Sequence, residues 1–228
     1  MQKINVLLAD DHTIVRQGFR ALLEAEQDIA VVGEAETGRQ AVQLARKLHP
    51  DVVLMDISMP LLNGLEATRQ ILNELPDTKV LILSSYSDDE YVQQLTEAGA
   101  AGYLLKQTAA ADLLKAIREA RRGNPFFSPA ICKRILDQYR GMLLKDAPQR
   151  KDRETLTTRE SEVLQLIAEG KANKQIAAEL NLSIKAVEKR RQQLMEKLDI
   201  HDIAGLTRYA IAKGVIHCDV GLKALESA

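Results

Sequence analysis

Carboxylates follow two apolar runs in the first quarter of the sequence. Asp56 comes after "DVVLM", which has the length and β-branched character of a buried strand, and Asp10 and Asp11 come after "INVLLA". Because the carboxyl ends of parallel strands share one edge of a sheet, we expect the three side chains to converge. Converging carboxylates repel one another unless one takes up a proton or a hard cation neutralises them, and Mg²⁺ prefers such oxygen ligands. The sequence therefore predicts a magnesium site.

Two further strand patterns also end in polar groups. Ser84 follows "KVLIL", and Lys106 follows "AGYLL", which contains Tyr103. Each of these residues alone has an ordinary structural explanation. A carboxylate after a strand is often a helix cap, a serine there is often a turn residue, a lysine is usually a solvated charge, and a tyrosine usually packs in the core. It is their joint occurrence at strand ends that favours a site.

The motifs "LLADDH", "VVLMDISMP", "LILSS" and "GYLLK", in this order, resemble the receiver domain of two-component response regulators over about residues 3–122. The resemblance implies that a sensor histidine kinase phosphorylates Asp56. It also implies that Mg²⁺ is held by Asp10, Asp11 and Asp56 together with the backbone carbonyl of Ser58.

The same resemblance assigns roles to the other strand ends. Ser84 and Lys106 bind the phosphoryl oxygens, and Ser84 and Tyr103 form a switch in which the tyrosine ring moves with the state of the site. A crowded phosphoryl anion needs positive charge and hydrogen-bond donors, which Mg²⁺, the lysine and the hydroxyl supply. Many receivers have a proline after the lysine, whereas this chain has Gln107, which leaves the geometry of that peptide bond open.

Strand and helix patterns alternate five times before residue 123. This rhythm predicts a flavodoxin-like, doubly wound α/β domain with a parallel five-stranded sheet, and the resemblance places the strand at residues 30–35 at its edge. The expected helices lie near residues 13–25, 37–48, 63–74, 88–98 and 108–122.

Composition indicates an ordinary globular chain of two domains. The 228 residues are 46% hydrophobic and 28% charged. No apolar run reaches the roughly 18 to 20 residues of a membrane-spanning helix, and the chain starts directly with a strand pattern, so neither a membrane partner nor a signal peptide is expected and the default compartment is the cytoplasm. Cys132 and Cys218 are interpreted as unpaired thiols. The histidines, at positions 12, 49, 201 and 217, form no ligand cluster in the sequence, which argues against a transition-metal site.

Four segments are expected along the chain: a receiver domain at residues 1–123, a linker helix and flexible tether at 124–154, a helix-turn-helix domain at 155–216 and a tail at 217–228. The linker helix covers about residues 128–144. The tether after it is polar, charged and without aliphatic anchors.

The C-terminal domain contains helical patterns and no strand candidate. Thr158, Ser183 and Asp202 are expected to cap its first, third and fourth helices, and Asn173 begins the second. Only residues 181–183 separate the second helix from the third, which predicts a helix-turn-helix in an all-α domain.

Positive charge is concentrated around the third helix. Between Lys171 and Lys197 there are seven Lys or Arg and three Glu, while the net charge of the whole chain is −1. A run of charges often only solvates a helix face. On the second helix of a helix-turn-helix, however, it favours contact with a polyanion, here double-stranded DNA.

The segment "LTTRESEVLQLIAEGKANKQIAAELNLSIKAVEKRRQQLMEKLDI" resembles the LuxR-type DNA-binding domain of NarL/FixJ-family regulators over about residues 156–213. Where relatives have a histidine in the third helix this chain has Arg190, so operator preferences cannot be transferred from relatives. The residues that the resemblance places near DNA bases or phosphates are Lys174, Ser183, Lys185, Val187, Glu188, Lys189, Arg190 and Arg191.

Three functions are compatible with at least part of this sequence pattern. The first is a transcription factor in which phosphorylation gates dimerisation and DNA binding, with a homodimer on the operator and RNA polymerase as a further candidate partner. It is not a conventional enzyme, although it would catalyse its own phosphorylation and dephosphorylation. The second is a DNA-binding protein with a degenerate receiver, which would lack the acidic pair, the acceptor aspartate or the lysine, and none of these is missing. The third is a haloacid-dehalogenase-type enzyme, which requires a second Asp where Ser58 stands.

Overall fold

The computed structural model describes most of both predicted domains. The chain divides into two units, Met1–Arg150 and Lys151–Ala228. The described residues are 3–84, 98–108, 110–128, 131–133 and 156–216. The helix expected at 88–98 lies outside them except for residue 98, and the tether and the C-terminal tail lie outside them entirely. Of the expected linker helix at 128–144, the structure describes residues 128 and 131–133, and residues 131–133 are helical.

A parallel sheet forms the first unit, with strand order β2-β1-β3-β4-β5-β6. Its strands are β1 (Ile4–Ala9), β2 (Ile29–Ala35), β3 (Val52–Asp56), β4 (Lys79–Ser84), β5 (Gly102–Leu105) and β6 (Phe126–Phe127).

The sixth strand corrects the expectation of five. Phe126 pairs with Gly102, and its N–H donates to the carbonyl of Ala101 at 3.0 Å. A strand of two residues is too short to show a period in the sequence. It begins inside the segment that the sequence assigned to the linker, so the first unit extends past residue 123.

Alternating residues of the strands build two separate cores, one on each face of the sheet. Leu7, Val53 and Ile82 belong to one core, and Leu8, Leu54 and Leu81 to the other. Helices cover both faces, as the doubly wound fold requires. They are α1 (Thr13–Glu24), α2 (Gly38–Leu48), α3 (Gly64–Glu74) and α4 (Ala110–Arg121). Helices α2 and α3 contribute to the first core, and α1 and α4 to the second.

The loop after β3 is held close to the end of that strand. Asn63 caps α3 by accepting a hydrogen bond from Glu66 N at 2.9 Å, and Gly64 N donates to Ile57 O at 2.8 Å. A Cβ on Gly64 would lie 2.0 Å from the carbonyl oxygen of Asp56. Only glycine allows this approach, so Gly64 helps to set the position of Asp56.

The second unit contains helices joined by short loops, and no strand, within its described residues. Its helices are α5 (Thr158–Ala168), α6 (Asn173–Leu180), α7 (Ile184–Leu198) and α8 (Ile203–Ala212). The cap of α5 is Thr157 rather than Thr158, because Thr157 and Glu160 form a reciprocal capping box. Ser183 and Asp202 cap α7 and α8 as expected. Within the described part of the chain, no helix is both long and apolar enough to span a membrane.

Candidate acidic pocket and nucleic-acid interface

Four side chains meet at the carboxyl ends of β1, β3 and β5, and we call them the acidic pocket: Asp10, Asp11, Asp56 and Lys106. Asp10 and Asp56 are each 3% exposed. The ammonium of Lys106 lies 2.7 Å from Asp10 Oδ2 and 3.0 Å from Asp56 Oδ2. The predicted convergence of three carboxylates is therefore present, with one lysine shared between two of them.

Backbone hydrogen bonds hold the strand ends in place. Asp10 N donates to Ala35 O at 3.1 Å, and Lys106 N donates to Ser84 O at 2.8 Å. The second bond puts Ser84, which is buried, beside the lysine at the end of β4. Tyr103 is also buried and packs in the core shared with α2 and α3.

The ionisation of the pocket reflects its burial. Burial raises the pKa of the Asp56 carboxyl above its ordinary value; Asp10 and Asp11 add to the rise, and Lys106 opposes it. Burial lowers the pKa of Lys106, but the carboxylates of Asp56 and Asp10 outweigh this and leave it raised. The lysine therefore stays charged, while an ionised Asp56 is costly.

The donor set suits a hard divalent cation. Asp10 Oδ2 and Asp56 Oδ2 are buried and contact the Lys106 ammonium, while the buried Asp11 Oδ1 faces His12 Nδ1, so each oxygen keeps acceptor capacity for a further ligand. Three carboxylates against one ammonium leave uncompensated negative charge. Oxygen atoms with unused acceptor capacity and a charge excess are what Mg²⁺ requires.

His12 is a pocket neighbour that the sequence analysis did not include. Its Nδ1 lies 2.8 Å from Asp11 Oδ1 and 3.3 Å from Asp10 Oδ1. Ligand atoms of His12 and the three aspartates lie within 4.8 Å of one another. The sequence signal for His12 is its position directly after the acid pair.

Arg16 is a second residue that the sequence analysis missed. It is 5% exposed, and its Nη1 donates to the backbone carbonyl of Asp10 at 2.7 Å. Its other nitrogens contact Glu34 at 3.3 Å and Glu36 at 2.6 Å. Arg16 lies seven residues before the buried Leu23 and therefore on the same face of α1. This helical spacing in the sequence indicates that Arg16 points toward the protein interior.

Helix α7 presents a charged outer face and an apolar inner face. Lys185, Glu188 and Lys189 are exposed, as is Lys174 on α6. Val187 is fully buried, so the expectation that it contacts DNA is wrong. It lies on the inner face of α7, which also buries Leu194.

The remaining predicted DNA residues have structural partners or partial burial. The Ser183 hydroxyl accepts a hydrogen bond from Ala186 N at 3.2 Å and caps α7. Arg191 is half-buried, and its Nη1 donates to Asn173 Oδ1 at 2.6 Å, which ties α7 to the start of α6. Arg190 is half-buried. Lysines 185 and 189 are therefore the freest cations of this face to meet a polyanion.

Family comparisons assign both units. Residues 6–118 match the family described as "Response regulator receiver domain". Residues 154–210 match "Bacterial regulatory proteins, luxR family". The first match contains the whole acidic pocket and the second contains α5 to α7.

Curated relatives align with this chain over nearly its whole length. The chain is 45% identical to the transcriptional regulatory protein LiaR of Bacillus subtilis, over 91% of this chain and 96% of that one. It is 37% identical to the oxygen regulatory protein NreC of Staphylococcus carnosus, over 93% and 99%. Among solved structures, it resembles the RcsB response regulator of Salmonella typhimurium with a TM-score of 0.57, at 30% identity over 93% of this chain and 100% of that one.

A structure of an RcsB–DNA complex matches with a TM-score of 0.56, at 29% identity over 91% of this chain and 98% of that one. The order of the two matched families, the fold and the full-length relatives lead to one assignment. The chain belongs to the NarL/FixJ family of two-component response regulators, and it is a transcription regulator with a receiver domain and a LuxR-type DNA-binding domain rather than a conventional enzyme.

Proposed function

We propose that Asp56 accepts a phosphoryl group from a sensor histidine kinase and that this modification gates dimerisation and DNA binding. The observation that carries the proposal is the placement of Lys106 between Asp10 and Asp56, beside buried carboxylate oxygens that keep acceptor capacity for a cation. Such an arrangement is poor for stability alone, because it concentrates like charges in a buried site. It suits a site that receives a cation and an anion together.

The ligands for Mg²⁺ in this proposal are Asp10, Asp11, Asp56 and the backbone carbonyl of Ser58. When bound, the ion neutralises carboxylate and phosphoryl charge and so lowers the barrier to transfer. The Asp56 oxygen attacks phosphorus, the bond from phosphorus to the kinase imidazole breaks, and the imidazole, which is already protonated on its other ring nitrogen, leaves as the neutral group. Lys106 supplies positive charge to the phosphoryl oxygens throughout.

Ser84 and Tyr103 would report the change. The Ser84 hydroxyl donates to a phosphoryl oxygen, and the buried Tyr103 ring takes up the space that the shifted β4 end leaves. The backbone hydrogen bond from Lys106 N to Ser84 O supports this proposal, because a shift of Ser84 at the end of β4 would also displace Lys106. In the same proposal the receiver domain also hydrolyses its own acyl phosphate.

On the DNA side, Lys174, Lys185, Glu188 and Lys189 would face the duplex, while Ser183, Arg190 and Arg191 would position α7 or reach phosphates. Each helix-turn-helix covers few base pairs, so a homodimer on two half-sites supplies the needed specificity.

The functional segments in this proposal are the receiver domain at residues 1–123, extended by β6, the linker at 124–154, the DNA-binding domain at 155–216 and the tail at 217–228. RNA polymerase is a further candidate partner.

The chemistry is tested by intact-mass measurement. Incubation of the full chain with Mg²⁺ and a small phosphodonor should add one phosphoryl group, and Asp56→Asn should abolish the addition because an amide does not form an acyl phosphate. Asp51→Asn is the matched control, since Asp51 precedes the same strand at its opposite end and pairs with Arg121. Full labelling of Asp56→Asn would overturn the assignment.

Gating is tested by fluorescence anisotropy at fixed salt. The full chain should bind a selected duplex more tightly after phosphorylation, and Asp56→Asn should not respond to the donor. Equal binding by the phosphorylated and unphosphorylated chains would refute gating while leaving both domain assignments intact.

A further inference from the structure

One exposed apolar side chain stands on the charged face of α7. Among the described residues, three large hydrophobic side chains are exposed, and Ile184 is one of them at 46%. It is the first residue of α7, directly after the Ser183 cap. In a helix-turn-helix the start of the second helix enters the major groove, so an apolar group there would be covered by base edges rather than by protein.

Helical spacing places Ile184 on a common row with two other exposed residues. Residues i, i+4 and i+8 lie one above another on a helix, and here they are Ile184, Glu188 and Gln192, which we call the reading row. The adjacent row begins with Lys185 and Lys189. One row is thus basic, while the other combines an apolar, an acidic and an amide side chain.

The chemistry of the reading row differs from what phosphate contact requires. An acid facing a polyanion weakens binding unless it accepts a hydrogen bond, and Glu188 has no ion-pair partner within the described part of the chain. In the major groove, carboxylates accept from the exocyclic amino group of cytosine, and apolar side chains pack on the 5-methyl group of thymine. The basic row alongside supplies the attraction to the backbone.

We propose that Ile184 reads the 5-methyl group of a thymine in each half-site, while Glu188, one turn further along α7, accepts a hydrogen bond from the amino group of a nearby cytosine. This inference rests on the proposed DNA-binding function and specifies which bases that function recognises. Gln192 is not included, because its amide donates to Glu196 Oε1 at 3.0 Å.

The test starts with selection of duplexes from random sequence by the full, phosphorylated chain. Each thymine of the selected half-site is then replaced singly by deoxyuridine, which removes the methyl group and nothing else. Wild-type affinity should fall about fourfold at one thymine per half-site, the equivalent of one buried methyl group at ~0.8 kcal/mol. Ile184→Ala should bind the thymine and deoxyuridine duplexes equally.

Ile203→Ala is the matched control. Ile203 is also the first residue of a helix in the same unit and is 54% exposed. This variant loses the same atoms from a comparable surface position and should keep the wild-type ratio between the two duplexes. Wild-type protein insensitive to every replacement, or Ile184→Ala with the full wild-type ratio, would overturn the assignment of Ile184.

Glu188→Ala tests the second contact. It should weaken binding to the selected duplex at least threefold while strengthening binding to a scrambled duplex, because it removes both a base contact and a repulsive charge. Stronger binding to both duplexes would show that Glu188 is a solvated acid and overturn its role. If no sequence preference emerged from selection, the proposed DNA-binding function itself would fail, which is a result distinct from insensitivity to the methyl group.

Discussion

In the acidic pocket, Asp10 and Asp56 are buried and share the ammonium of Lys106, whereas Lys185 and Lys189 on α7 are exposed. Both regions concentrate charge, but only the first places it where solvent cannot screen it. A change at one pocket residue must alter the energy of its neighbours. A change at one exposed lysine should leave the other largely as it was.

The difference matters for function. A coupled, buried site can turn the arrival of one phosphoryl group into a discrete structural change, because its members have few alternative arrangements. An exposed face of separate charges is suited to contacts that accumulate one by one along a duplex. We expect pocket substitutions to act on stability, ion binding and switching together, and substitutions of the exposed lysines Lys185 and Lys189 to act on DNA affinity alone.

The largest effect is expected at Gly64. A Cβ there would lie 2.0 Å from the Asp56 carbonyl oxygen, so Gly64→Ala must displace the backbone beside Asp56. We expect it to lower the free energy of unfolding by about 3 kcal/mol, measured by urea denaturation. In Gly18→Ala, the control on α1, a Cβ would meet no atom within 4 Å, and we expect a gain of roughly 0.5 to 1 kcal/mol. Equal stability of both variants would contradict the tight approach.

Substitution of Arg16 tests whether Mg²⁺ binding in the acidic pocket depends on a residue that contacts the pocket from α1. Arg16→Gln removes the guanidinium that donates to the Asp10 carbonyl and pairs with Glu34 and Glu36, so we expect a loss of about 2 kcal/mol in unfolding free energy and weaker Mg²⁺ binding by calorimetry. Arg20→Gln is the matched control, because Arg20 also pairs with Glu34 but does not contact Asp10. It should leave Mg²⁺ affinity unchanged. Equal losses of Mg²⁺ affinity in both variants would show that Arg16 has no special role.

Strand-end residues of the acidic pocket were easier to predict from the sequence than residues that reach the pocket from a helix. Asp10, Asp56 and Lys106 follow long apolar strands, so their convergence follows from parallel topology alone. Arg16 lies on a helix and reaches the pocket through its long side chain, which no strand-end pattern indicates. His12 had a signal, its position after the acid pair.

In the second unit, the positions of the helices could be predicted from the sequence, but which side chains face solvent was harder to predict. The family resemblance predicts a DNA contact for Val187, yet packing buries this residue on the inner face of α7. The two-residue β6 gave no periodic pattern. In each case the missing information was tertiary: which side of a helix, or which short segment, meets the rest of the fold.

Protonation of Asp56 offers a pH test of the pocket. Because the pKa of Asp56 is raised in the folded chain, the folded state holds this proton more tightly than the unfolded state does, and the ionised form costs stability at neutral pH. As the pH falls through the raised pKa, the cost disappears. Asp56→Asn, in the absence of divalent cations, should therefore be more stable than wild type at pH 7.5. The advantage should shrink toward pH 4 in urea denaturation, and a constant advantage at every pH would refute the cause given.

The smallest effects are expected on α7, and their additivity is the sharpest contrast with the pocket. Lys185→Ala and Lys189→Ala should each weaken binding to a selected duplex by about 1 kcal/mol and reduce the salt dependence by about one phosphate contact. The double variant should show the sum of the two losses, because each exposed lysine meets its own phosphate and solvent screens the two charges from each other. Anisotropy titrations of wild type, both single variants and the double variant over several salt concentrations measure this. A double variant no weaker than either single variant would mean that the two lysines serve one contact, and the exposed face of α7 would then be coupled in the same way as the pocket.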